Sequence, residues 1–361
     1  MKVVDTTNLE SAYQQWLNIQ PLDETDRHRL SQRFTIDFNF NSNHIEGNTL
    51  TYGQTEILLL FGKVIGVADL KDYNDMKASS VGLKMMEVEA MVRDKPLTQS
   101  FIRQLHKTLL REDYEVYRKL PGGDYTSYTV HAGIYKTRPN SVISRNGERF
   151  EYASPEETPA LMTDLVDWYN EEERKGVMHP VELAALFHYR YIRIHPFEDG
   201  NGRIARLLVN YILARHHYPM IVVRSRKKTE YLDALSASDK EVGALPSKGA
   251  KATLIQIRHF LAYFTDLVTR EITSNVLFIT EKDKRNWWYD GEMIRLRSDN
   301  VSNLLYVVTL NPSITIPKLS SMCGLSEKMV KNYLKQFTDK HYLQRGEDGK
   351  FHVFIVPSVL L

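Results

Sequence analysis

Residues 195–206 read HPFEDGNGRIAR, and the chain continues from Ile204 as IARLLVNYILARHH. Gly200, Asn201 and Gly202 can take backbone angles closed to most residues. Successive N–H groups can then converge on one concavity that suits an anion. The apolar spacing after them is helical, so the loop feeds a helix N-terminus, where free N–H groups and the dipole attract negative charge. Arg203 and Arg206 lie three apart and share a helix face. Guanidinium forks match phosphate oxygens, and two of them beside such a nest point to several phosphates rather than one.

The left half of the stretch adds chemistry. Asp199 beside a phosphate cradle suits Mg²⁺, which prefers oxygen ligands and bridges carboxylate to phosphate. His195, with an ordinary pKa near 6.5, can accept a proton near neutrality, and a positioned general base contributes roughly 10²–10⁴-fold. Phe197, flanked by polar neighbours, is expected to turn inward and anchor the loop. Each feature alone is usually structural. Together they suit phosphoryl or nucleotidyl transfer to a hydroxyl.

Outward from this stretch the chain reads as mostly helical. Residues 8–46 are rich in helix formers, with Gly47 expected to end that helix. Thr51 and Gln54 form a capping box that opens a helix through EILLLFGKV. Residues 69–94 continue helically, and Thr98 caps a helix bearing Phe101, Leu105 and Leu109. Ser154-Pro-Glu-Glu157 is a second capping box, and Pro180 opens the helix that runs to His195. Between these helices, residues 120–152 carry Gly, Asn and Pro among β-branched and aromatic residues. One or two short hairpins are expected there, with Asn146-Gly147 as a turn. EKDKRNWWYDGE, after residue 280, reads as a charged connector. The last 65 or so residues read as three helices and a hairpin turning near Gly346, Asp348 and Gly349, the order of a winged helix-turn-helix. The fold class expected is mainly α: a helical core with a short β-hairpin flap, plus a C-terminal winged helix-turn-helix. The domains expected are 1–95, 96–275 and 285–361.

The 361 residues are 42% hydrophobic and 25% charged, with a formal net charge of +2. Near neutrality argues against a broadly basic nucleic-acid coat. The single cysteine, Cys323, fits a reducing compartment. The start resembles no signal peptide, and no apolar run reaches the roughly 18 residues of a membrane helix. A cytoplasmic protein with no membrane partner is expected.

HPFEDGNGRIAR matches every fixed position of the Fic family motif, His-x-Phe-x-Asp/Glu-Gly-Asn-Gly-Arg-x-x-Arg. The resemblance extends over about residues 35–265. It implies a helical core that transfers AMP from ATP to a protein Ser, Thr or Tyr, releasing pyrophosphate. It implies further that His195 is the base, Asp199 the Mg²⁺ ligand, and Gly200, Asn201 and Gly202 the cradle of the α- and β-phosphates. Arg203 resembles the β-phosphate arginine and Arg206 the γ-phosphate arginine. Relatives that transfer phosphate instead carry lysine where Gly202 stands, so the glycine favours AMP transfer.

Ser42-Asn-His-Ile-Glu46-Gly47 places a carboxylate in a last helical turn, where the dipole disfavours it and a nearby cation would hold it. SNHIEG matches the family's inhibitory motif. That resemblance implies that Glu46 pairs with Arg206 and so withholds it from the γ-phosphate. SYTVHAGIYKTRPNSVI resembles the family's flap, with Gly133 and Tyr135 in its turn region and an edge that can align a target strand.

Weaker signals are read as structural: His188 as packed rather than metal-binding, and RSRKK at 224–228 as a solvated loop. Lys328, Lys331, Asn332 and Lys335 line the last helix, but Glu327, Asp339, Glu347 and Asp348 offset them. DNA is therefore a weaker partner reading than protein. Self-modification and a homodimer stay open. The competing readings are a DNA-binding regulator whose Fic site senses nucleotide, and an enzyme that removes AMP. The target protein and its modified residue are not legible.

Overall fold

The computed structural model describes residues 3–358 except 65, 120–122, 124, 144–148 and 347–348. In chain order it holds α1 (Thr7–Asn18), α2 (Glu24–Ile45), α3 (Tyr52–Phe61), α4 (Leu70–Met91) and α5 (Gln99–Leu110). Hairpins β1 (Tyr114–Lys119)–β2 (Tyr125–Val130) and β3 (Ser141–Ile143)–β4 (Arg149–Glu151) come next. Then follow α6 (Thr158–Lys175), α7 (Pro180–Ile194), α8 (Asn201–Arg215), α9 (Lys228–Val242), α10 (Pro246–Ala250) and α11 (Arg258–Thr280). The C-terminal part has β5 (Asn286–Tyr289), β6 (Glu292–Arg295), α12 (Asp299–Leu310), α13 (Ile316–Cys323), α14 (Glu327–Asp339), β7 (Leu343–Arg345), β8 (Phe351–Val353) and β9 (Val356–Pro357). The fold is mainly α with small hairpins.

Several expectations need correction. The helix expected over 8–46 is two. Pro21 interrupts it, lacking an N–H and restricting the residue before it. Asp23 then caps α2, accepting from Asp26 N at 2.7 Å. The first hairpin starts at Tyr114, ahead of the stretch where strands were expected. The Asn146-Gly147 turn, Glu347 and Asp348 lie outside the described residues. At Ser154 the two capping-box bonds form with Glu157, but the regular helix starts only at Thr158. The segment read as a charged connector is a strand, a turn and a strand. Its two tryptophans are 0% and 3% exposed, and Asp290 and Gly291 carry positive φ of 44° and 79°, as a tight hairpin requires. The charges masked a short run with one buried face.

Thr51 and Gln54 do close their capping box on α3. Thr98 caps α5.

One apolar core runs from Leu9 in α1 to Val276 in α11, with α7 and α8 in its middle. Phe187, Tyr191, Ile204, Leu208 and Leu213 are 0% exposed there, which makes the loop between α7 and α8 a short, doubly anchored bridge. A second core gathers Trp287, Leu304, Val308, Leu319, Val330 and Phe351. The C-terminal part grips α2 and α3 directly. Arg29 Nη2 donates to the Pro357 and Ser358 carbonyls at 3.0 and 2.7 Å. A Cβ on Gly53 of α3 would meet the Phe354 ring at 2.4 Å, so glycine there admits that ring. No helix among the described residues is long and apolar enough to cross a membrane.

Candidate active site

Two helices and the loop between them define the site. α7 ends at Ile194, and His195 takes the left-handed conformation, φ 52° and ψ 61°, at its C-cap. Such a conformation costs a non-glycine residue roughly 1–2 kcal/mol. It throws the imidazole off the helix axis. Gly200, with φ 75°, is the N-cap of α8, and the first intrahelical acceptance goes from Ile204 N to Gly200 O. The N–H groups of Asn201, Gly202 and Arg203 therefore have no helical acceptor.

Phe197 does turn inward. It is fully buried and stacks on His106 with ring centroids 3.7 Å apart. Asn201 grips the loop: Oδ1 accepts from Phe197 N at 2.9 Å and Nδ2 donates to Phe197 O at 2.7 Å. Its side chain is thus occupied within the loop, and its backbone N–H is what α8 offers to an anion.

Arg203 and Arg206 are 5% and 3% exposed. Arg203 meets Asp199 Oδ2 only at 3.6 Å, and its Nε has no hydrogen-bond partner among the described residues. A buried guanidinium so thinly satisfied suits an incoming anion. Arg206 is fully engaged with α2. Its Nε donates to Ser42 Oγ at 3.0 Å, and its Nη2 donates to Ser42 O at 2.8 Å and Glu46 Oε1 at 2.6 Å.

The position of Glu46 follows from how α2 ends. Gly47, φ 98°, lets Gly47 N bond His44 O and Asn48 N bond Asn43 O, both at 3.1 Å. This is a Schellman ending, which requires the left-handed residue. It leaves Glu46 at the C-cap, pointing across the start of α8. A Cβ on Gly202 would lie 2.4 Å from Glu46 Oε1, so the missing side chain is what admits the carboxylate. Burial works to raise the Glu46 pKa, but Arg206 and then Arg203 outweigh it and hold it below the ordinary value.

His195 Nδ1 lies 3.3 Å from Ile192 O. A carbonyl only accepts, so this contact places the proton on Nδ1 and the lone pair on Nε2. Burial, then the charge of Lys136, pulls the His195 pKa to about 4, and the imidazole is neutral at pH 7. The Tyr152 ring stacks on it at 3.9 Å.

Asp199 accepts from Tyr114 Oη and from Gly200 N, both at 2.6 Å. Burial would raise its pKa, yet Arg203 and these donors keep it below the usual range. It is ionised, and 46% of its side chain is exposed. No cluster of three metal-ligating side chains exists among the described residues. Mg²⁺ commonly takes one or two carboxylates and completes its shell with phosphate and water, so this donor fits.

Sequence reading missed His106, Tyr114, Lys136, Asn140 and Tyr152. His106 accepts from Gly133 N at 2.9 Å through Nδ1 and therefore donates from Nε2 to Asp199 O at 3.0 Å. Burial takes its pKa down to about 4. The one available signal was its place beside Leu105 on the inner face of an amphipathic helix. His188 is packed as expected, against Phe260 and the Tyr231 hydroxyl. Arg224, read as solvated, is buried: it binds Asp37, Glu271 and Asp290.

A model of the Fic/DOC family matches residues 96–213. Protein adenylyltransferase fic-1 of Caenorhabditis elegans is 31% identical over 196 residues, 54% of this chain but 35% of its own length. The chain thus spans about a third of that relative. A Fic family protein from Desulfovibrio desulfuricans, 19% identical, covers 97% of both chains with a TM-score of 0.54 and shares the fold. A Fic-domain-containing signaling protein from Bacteroides thetaiotaomicron is 53% identical, superposes with a TM-score of 0.70, and is covered over 96% of its length and 75% of this chain. Likeness at that level, over nearly the whole of another protein, means that the chain belongs to the Fic/DOC family.

Proposed function

We propose that the chain is an autoinhibited protein adenylyltransferase, moving AMP from ATP to a Ser, Thr or Tyr hydroxyl of a target protein. One observation carries this reading: a neutral imidazole and a partly unsatisfied anion cradle stand at opposite ends of one rigid loop. His195 Nε2 takes the hydroxyl proton as the target oxygen bonds to the α-phosphorus. The bond from that phosphorus to the bridging oxygen breaks, and pyrophosphate leaves. The N–H groups of Asn201, Gly202 and Arg203, with the guanidinium of Arg203, hold phosphate oxygens. Arg206 is assigned to the γ-phosphate. Asp199 would hold Mg²⁺, which neutralises phosphate charge when bound. Tyr114 and Gly200 N orient that carboxylate.

In the resting protein Glu46 occupies Arg206 and the mouth of α8, so ATP cannot seat its terminal phosphate there. The test is mass spectrometry of Glu46→Gly protein after incubation with each nucleoside triphosphate and Mg²⁺. An adduct of AMP mass, absent when His195→Ala is added, is the expected result. An intact, folded double set with no nucleotide adduct overturns the reading.

We read α12–α14 with β7–β8 as a winged helix-turn-helix that contacts protein. The exposed Lys328, Lys331 and Lys335 on α14 are partly offset by Glu327 and Asp339, which disfavours DNA as its partner. Retention on DNA at physiological salt by a protein inert in transfer would instead support a regulator. Self-modification and a homodimer are read out by the wild-type protein's intact mass and by its sedimentation.

A further inference from the structure

Helix α7 ends with carbonyls that the helix itself cannot satisfy, and it ends on a histidine where a glycine is the usual left-handed residue. One side chain from elsewhere meets both needs. Lys136 is 3% exposed. Its Nζ donates to Ile194 O at 3.1 Å, to His195 O at 2.9 Å and to Asn140 Oδ1 at 2.8 Å. Those three bonds match the three N–H groups of an ammonium. Its own backbone N donates to Pro196 O at 2.9 Å. Asn140 adds a bond from Nδ2 to Phe197 O at 2.9 Å. Every carbonyl from Ile194 to Phe197 is therefore held from the segment between Lys136 and Asn140. No carboxylate lies within ion-pair distance of Lys136 among the described residues.

A buried ammonium without a counter-ion is costly. Burial pulls its pKa to about 7, with distant Glu157 working the other way. Ordinary helix ends are closed with glycine and water at far less cost. What the lysine supplies here is a rigid, cationic clamp on the main chain of the loop that carries the base.

We infer that Lys136 is a positioning residue for His195, holding the imidazole in its left-handed pose by gripping its carbonyl; this rests on the transfer reading above. Asn140 is followed at once by β3, in the segment read as the flap. The clamp thus ties the strand that would meet a target to the base that would deprotonate it.

The charge has a second, separable consequence. The groups facing His195 are Lys136, Glu46, Asp199 and the Tyr152 ring. Lys136 alone among these charges favours the neutral imidazole, so its removal raises the His195 pKa.

The test compares Lys136→Met, Lys136→Gln and Lys136→Arg, each in Glu46→Gly protein. The expected result for Lys136→Met is a kcat lower by about 10²-fold, the scale of a misplaced group, with KM for ATP within about threefold. The His195 imidazole midpoint, followed by NMR and assigned by its loss in His195→Ala, moves up. Lys136→Gln keeps an N–H donor without the charge. It gives a smaller loss of kcat with the same upward shift, and it serves if the methionine variant does not fold. Lys136→Arg keeps donor and charge, and leaves the midpoint in place. A kcat equal to that of the Glu46→Gly parent in the methionine or glutamine variant overturns the inference. So does a loss of kcat and KM together with an unmoved midpoint, the mark of a merely structural residue. The NMR midpoint needs no transfer. A Glu46→Gly protein that never forms AMP adducts would sink the transfer reading while the clamp is still tested.

Discussion

Asn41 donates from Nδ2 to Asp290 Oδ1 at 2.6 Å, joining the residue before Ser42 to the turn of a hairpin 249 residues away in sequence. Around that bond lies a buried network. Arg224 binds Asp37 at 2.8 Å, Glu271 at 2.7 Å and Asp290 at 3.0 Å. Asn41 Oδ1 accepts from Ser225 N at 2.7 Å. The β5–β6 turn is thereby built into the wall of α2 that also carries Ser42 and Glu46.

Asp290→Ala strips Arg224 of one partner and leaves Asn41 Nδ2 with its Asp37 carbonyl alone. Removing one member of a buried ion pair costs about 3–5 kcal/mol; the surviving Asp37 and Glu271 contacts should keep the loss near the lower figure. Urea unfolding measures it. Because Ser42 follows Asn41, AMP transfer by the folded variant is expected to exceed wild type. Transfer at or below the wild-type level would separate the network from the latch.

Ser42 and Glu46 differ in what they withhold. Glu46→Gly removes the charged partner of Arg206 and frees the start of α8. Ser42→Ala removes only the Oγ contact with Arg206 Nε and leaves the carbonyl contact. One such hydrogen bond contributes about 1 kcal/mol. Ser42→Ala should therefore release transfer by about fivefold, well short of Glu46→Gly. Equal release by both would show that the carboxylate has no special part.

Gly47→Ala tests whether the end of α2 aims the latch. At φ 98° a Cβ is strained, although nothing lies within 4 Å to clash with it. The expected cost is about 1 kcal/mol, seen as a lower urea midpoint. Partial release of transfer should accompany it, as the Schellman ending frays and Glu46 loses its aim. An unchanged midpoint would mean that the ending relaxes freely.

Acid should destabilise the fold before the carboxylates titrate. His106 and His195 have pKa values near 4 and His188 near 3, all lowered by burial. Each stays neutral when folded and gains a proton on unfolding below its ordinary value of about 6.5. Buried Glu56, raised to about 8, works the other way by holding a proton that the unfolded chain releases. Between pH 6 and 5 unfolding should take up a net of roughly two protons, so stability falls by about 2–3 kcal/mol per pH unit. Chemical denaturation at pH 7, 6 and 5 reads this slope. Constant stability over that range would contradict the neutral, buried imidazoles.

The loop and its helix were legible because their signals are local. Gly200 and Gly202 allow the turn, the apolar spacing after Ile204 makes α8, and Gly47 marks the end of α2. Thr51 with Gln54 was equally plain. The rest depended on partners far along the chain. Nothing near Tyr114 tells that it will meet Asp199, and Lys136 looks like any surface lysine until α7 stops above it. Arg224 sits in RSRKK, where composition argues for solvent; only Asp37, Glu271 and Asp290 together make burial tolerable. The strand in RNWWYDGE was hidden because its flanking charges outweighed two buried indoles.

Helix α2 leads into the proposed latch and also fills the core. Phe34, Phe38 and Ile45 are 7%, 2% and 4% exposed, and stripping each from the interior costs roughly 1.5–3 kcal/mol. Wholesale undocking of α2 is therefore far outside thermal reach, whereas the half-exposed Glu46 can swing about its own side-chain torsions within nanoseconds. Opening would then be a small-amplitude, fast event, with the protein sampling a form in which Arg206 is free of Glu46 continuously rather than awaiting a large rearrangement.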